Sequence, residues 1–138
     1  MLRRLVPPAV VAALALAAAP AFAANGVTPI SPKQGDAVPA GKRPTFKVRV
    51  KGRHTGVFVH VCKSNRKDAD GMICHDEVLG KAKKKRAGRY ELKADFFDLP
   101  DFWLNNPGTY YWQAYRSWCD AGLDDCKAEG PVVKFKVA

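Results

Sequence analysis

The sequence predicts an all-β domain, a two-sheet antiparallel sandwich of about seven strands. Three observations carry this. Apolar and polar residues alternate with period two in several short segments, of which residues 45–52 (TFKVRVKG) are the cleanest. Gly, Pro and Asp separate these segments, and no apolar run keeps helical spacing through them. Lysine and arginine fill many of the alternate positions, so one face of a sheet should meet water.

The first 23 residues stand apart from this pattern. Arg3 and Arg4 give a positive start, Leu5 to Ala19 are apolar except for proline, and Ala21-Phe22-Ala23 puts small residues where a signal peptidase reads. A Sec-type signal peptide spanning 1–23 is expected, with secretion to the cell exterior. Residues 24–138 then form a single domain, with no later stretch long and apolar enough to span a membrane. The chain carries a formal net charge of +10, and only Arg3 and Arg4 of its cations would leave with the leader.

The elements follow in order. Residues 28–44 (TPISPKQGDAVPAGKRP) are too rich in proline for a central strand, since proline gives no ladder donor; they read as an edge strand with turns. In 45–52, Phe46, Val48 and Val50 face one way and Lys47, Arg49 and Lys51 the other. In 56–62 (GVFVHVC), Val57, Val59 and Val61 oppose Phe58, His60 and Cys62. Residues 72–80 (MICHDEVLG) are a shorter candidate. In 88–96, Tyr90, Leu92, Ala94 and Phe96 alternate with Arg89, Glu91, Lys93 and Asp95. Residues 98–108 break the alternation and read as a corner. Tyr110, Trp112 and Ala114 then point inward, as do Val133, Phe135 and Val137 in the closing strand.

At two places the residues resemble a known group. Residues 31–48 (SPKQGDAVPAGKRPTFKV), and GTYYWQAYR followed by EGPVVKFKV, look like the first and last strands of fibronectin type III-like or immunoglobulin-like domains of bacterial secreted proteins. The resemblance covers nearly all of 28–138 and implies fold rather than activity. It also implies a tyrosine corner, in which a phenol bonds back to upstream backbone. Leu104 stands six residues before Tyr110, the spacing such domains use, but Pro107 and Gly108 fall one place late, so Tyr110 and Tyr111 both remain candidates.

In a sandwich of that type the strands ending in Cys62 and near Cys119 would be antiparallel neighbours. Their cysteines would then sit at opposite tips, roughly 20 Å apart at about 3.3 Å per residue. A disulfide needs Cα atoms within about 7 Å. Cys74 travels with Cys62 and Cys126 with Cys119, which leaves the local pairs Cys62–Cys74 and Cys119–Cys126. Four cysteines in a small exported domain read as two disulfides rather than as a metal site. His60 and His75 lie near cysteines, but not at zinc-finger spacing.

Candidate sites are few. Lys81, Lys83, Lys84, Lys85 and Arg86 form a cationic run that reads as a hairpin tip. It would capture a polyanion or else serve as a solvated, edge-guarding loop. Tyr111, Tyr115 and Trp118 would lie near the outer face of their strand and grip a sugar or apolar ligand, although covering the sheet is the commoner fate. Phe97, Phe102 and Trp103 would join them or plug the end of the sandwich. Asp68, Asp70, Gly71 and Glu77 resemble part of a calcium loop, but Arg66 occupies the first ligand position, and a plain turn explains the same residues.

No catalytic constellation is legible, and no cofactor or metal is expected. The function these features imply is a secreted, non-catalytic binding or adhesion module, acting as a monomer. Its partner would be a protein or an anionic polysaccharide or wall polymer. No aromatics interleave with the lysines, which argues against nucleic acid. A small apolar-ligand carrier with the layout of the neocarzinostatin-type apoproteins is the second reading, and a secreted enzyme the third.

Overall fold

The computed structural model describes residues 22–73, 78–93, 106–119 and 126–138. The strands, in chain order, are β1 (Val27–Ser31), β2 (Ala37–Val38), β3 (Thr45–Val50), β4 (Gly56–Cys62), β5 (Val78–Lys81), β6 (Lys83–Arg86), β7 (Arg89–Lys93), β8 (Gly108–Ser117), β9 (Lys127–Glu129) and β10 (Val133–Val137). They make two sheets, β1-β3-β7-β6 and β2-β10-β8-β4-β5, with β9 also paired to β8. The pairings are antiparallel except for β2, which runs parallel to β10. Among the described residues no helix is long and apolar enough to cross a membrane.

The interior forms where the alternating strands meet. Phe46, Val48 and Val50 from β3 face Val57, Val59 and Val61 from β4, with Tyr110, Trp112 and Ala114 of β8 and Val133, Phe135 and Val137 of β10. Phe46 sets its ring edge-on to Trp112 at 5.2 Å and to Phe135 at 6.0 Å. Burying each such ring contributes about 1.5–3 kcal/mol. The Trp112 indole N–H donates to the Pro32 carbonyl at 2.9 Å, so its one polar atom is satisfied inside the core.

The strand count exceeds seven for identifiable reasons. The proline-rich first segment leaves the first sheet after β1 and crosses to the second, where β2 lies on β10. Ala40 N–H donates to the Ala138 carbonyl, and Ala138 N–H to that of Val38. Strand β9 exists because β8 outruns β10. Glu129 pairs with Tyr115 and Val133 with Trp112, so the β9–β10 side holds one residue more than β8 over the same stretch. That extra residue is a bulge at Gly130-Pro131. Gly130 N–H still reaches the Ala114 carbonyl at 2.8 Å. A Cβ on Gly130 would stand 2.6 Å from Val27 Cγ1 and 3.0 Å from the Ala114 oxygen, so the bulge excludes a larger residue.

The outer face of the second sheet departs from the expectation of a solvated surface. Gln113, Tyr115 and Ser117 of β8 are buried, as are His60 and Cys62 of β4. Residues 66–73 fold back as cover and bring Met72 and Ile73 down onto this face. Gln113 holds the cover in place. Its Oε1 accepts from Ile73 N–H, and its Nε2 donates to the carbonyls of Gly71 and Gly130, all at 2.9 Å.

Candidate binding face

The cationic run is not a hairpin tip. Lys81 ends β5 in the second sheet, Ala82 is buried, and Lys83–Arg86 form β6 on the edge of the first sheet. Ala82 N–H donates to the Val57 carbonyl at 2.7 Å as the chain changes sheets. The turn comes later, at Ala87-Gly88, where Gly88 takes φ +69°. The run lacks alternation because all four residues of β6 are exposed.

The three aromatic candidates divide, and only Tyr115 departs from its expected place on the outer face. Tyr115 is buried at 2 % exposure, stacked at 5.2 Å on Phe58 and edge-on to His60 at 5.1 Å. Burial pushes its phenol pKa up to about 12. Trp118 is half-buried with the Arg116 guanidinium 5.0 Å above its ring. Arg116 also ties down the chain start by donating to the carbonyls of Asn25 at 2.8 Å and Arg53 at 2.7 Å. Tyr111 is half-buried opposite Lys134. These rings belong to a different sheet from the cationic strand, so the two candidate sites do not merge. Phe97, Phe102 and Trp103 lie outside the described residues.

The tyrosine corner resolves to Tyr110, whose hydroxyl donates to the Asn106 carbonyl at 2.8 Å. Desolvation raises its pKa. The Asp68 loop is turn chemistry. Asp68 Oδ1 accepts the backbone N–H groups of Asp70 and Met72, Gly71 adopts φ +79°, and Asp70 pairs with Lys127 at 3.7 Å. Glu77 lies outside the described residues. Among those described, no three His, Cys, Asp or Glu side chains cluster for a metal. Cys119 and Cys126 are disulfide-bonded with Cα atoms 5.4 Å apart. Cys62 is disulfide-bonded as well, while Cys74 lies outside the described residues.

Register creates a face that no local motif announces. On the outer side of the first sheet, Arg49 of β3 stands opposite Arg89 of β7, and Arg89 opposite Arg86 of β6. On the other side of Arg49 lies Thr28 of β1. The next rung runs Lys47, Glu91, Lys83. Glu91 is therefore flanked by two lysines, and among the described residues no carboxylate makes an ion pair with the three arginines. The Arg89 pKa is lowered, first by desolvation and then by the charges of Arg49 and Arg86.

The strand order defines the class. Leaving aside the short strands β2, β5 and β9, one sheet runs β1-β3-β7-β6, and in the other β4 pairs with β8, which pairs with β10. A tyrosine corner sits at the start of the penultimate long strand. This is an immunoglobulin/fibronectin type III-like sandwich. No protein-family model matches the chain, and no curated protein does. Among solved structures, the chain is similar to the fibronectin(III)-like modules of CbhA from Clostridium thermocellum. The identity is 21%, the TM-score 0.49, and the match covers 80% of this chain and 93% of that one.

Proposed function

We propose that the chain is a non-catalytic binding module working outside the cell, and that it engages an anionic surface polymer. The observation that carries this is the outer face of the first sheet. Among the described residues, Lys47, Arg49, Lys83, Arg86, Arg89 and Lys93 share it with one carboxylate, that of Glu91. A field of one sign on a flat, rigid sheet attracts a flexible polyanion and speeds its encounter. Among the described residues, Phe46, Trp112, Phe135 and Tyr110 pack together in the sandwich interior, which favours this reading over a carried ligand.

Export by the leader at 1–23 fits this role. The test is retention of dextran sulfate as a function of ionic strength. Binding should weaken steeply from about 0.05 to about 0.5 M salt, because added ions screen such contacts over about 10 Å or less. Replacing Lys83, Lys84, Lys85 and Arg86 together by alanine should weaken it at least tenfold. Salt-indifferent binding, or none, overturns the reading.

A further inference from the structure

Three arginines facing one another across neighbouring strands are unfavourable for the empty fold, since like charges directly opposite destabilise a sheet. Strands lie about 4.8 Å apart, so the Cα atoms of Arg86, Arg89 and Arg49 span roughly 10 Å along one rung. Arg49 and Arg89, but not Arg86, line a cleft of about 860 Å³ that Pro29, Ile30, Lys33 and Val132 also line. The charged row and the cleft thus share Arg49 and Arg89.

We propose that the rung Arg49–Arg89–Arg86 is the receptor for a tetrahedral oxyanion ester, a sulfate or phosphate monoester, whose carbon skeleton lies in the adjoining cleft. The proposal rests on the reading of the chain as an anionic-polymer binder and names the group on that polymer which is recognised. The reason is stoichiometry of acceptors. A guanidinium presents a planar fork of N–H donors, and one fork satisfies the two oxygens of a carboxylate. A monoester of sulfate or phosphate has three terminal oxygens and accepts from several forks at once. A phosphodiester, as in nucleic acid, has only two. Apart from Phe22, which lies on the leader side of the expected cleavage point, no aromatic among the described residues lines the cleft to stack a base.

The experiment measures equilibrium binding of four probes to the purified protein: dextran sulfate, dextran phosphate, polygalacturonate of matched charge, and oligothymidylate. The discriminating variant is Arg49→Lys with Arg89→Lys, which keeps every charge and removes the forks; circular dichroism checks its fold. At least one dextran ester should bind tenfold or more tighter than polygalacturonate and oligothymidylate, and the preferred ester identifies the source. The arginine-to-lysine variant should lose about tenfold on that ester and less than twofold on polygalacturonate. Replacing Lys83, Lys84 and Lys85 by alanine should weaken all four probes alike. Equal binding of the carboxylate polymer or of oligothymidylate overturns the proposal, as does ester binding indifferent to the lysine replacements. In those outcomes polymer binding itself survives, whereas failure of every probe removes the broader reading.

Discussion

Replacing Gln113 by leucine tests whether the cover over the second sheet is held by specific bonds or by burial alone. Leucine is close in volume and keeps the apolar contacts, but it makes none of the three hydrogen bonds. Ile73 N–H and the carbonyls of Gly71 and Gly130 would then lose their partner on a side chain that is fully buried. A buried backbone group left unpaired costs about 1–3 kcal/mol. Three such groups, with some relaxation toward water, give a loss of about 3–5 kcal/mol, a large share of the roughly 5–15 kcal/mol that stabilises a typical domain. Equilibrium urea denaturation measures the loss as a lower midpoint at unchanged slope. Amide hydrogen exchange gives the local readout, with Ile73 N–H exchanging faster than in the parent protein. A loss below about 1 kcal/mol with unchanged exchange at Ile73 would refute the argument, because the orphaned groups would then have found other partners.

Gly130→Ala should cost about 1–3 kcal/mol, as overpacking does, because its Cβ meets Val27 and a backbone oxygen; the thermal midpoint reports it. Tyr115 ionises near pH 12 in the fold but near 10 when unfolded. The folded state therefore holds a proton that the unfolded state gives up, and stability should be level below about pH 10 and fall as pH rises to about 12. Denaturation midpoints across that range check this, and Tyr115→Phe should remove that part of the decline. Cys119→Ser with Cys126→Ser opens a loop of sequence separation 7 and should cost about 2–3 kcal/mol by chain entropy, read by denaturation under non-reducing conditions.

What is legible in the sequence is what local alternation can encode. Strands β3 and β10 have one wet face, and their lysines and arginines mark it residue by residue. Strands β4 and β8 carry the same alternation, but the outer face that it implies is covered by a segment remote from β8 in sequence. No pattern within β8 tells Gln113 that Ile73 lies nearby. The lysine run misleads because all four residues of β6 are exposed, so the strand shows no period. Strand β9, with only Lys127, Ala128 and Glu129, has no β-branched residue; it forms because β8 offers an unpaired stretch beyond the bulge. The arginine rung is hidden for a different reason. Arg49 stands far from Arg86 and Arg89 along the chain, and only strand register brings the three together.

Strand β8 is specified on both of its sides, and this limits how the whole domain can assemble. Sliding it one residue against β4 would drive the amide of Gln113 into the oil between the sheets and leave the backbone groups of Ile73, Gly71 and Gly130 facing Trp112 without their partner. A shift by two would restore the alternation but place the wrong side chains against Phe46, Gly130 and Ile73. Misaligned forms are thus penalised twice over, and the strand serves as the gauge from which its neighbours take their position.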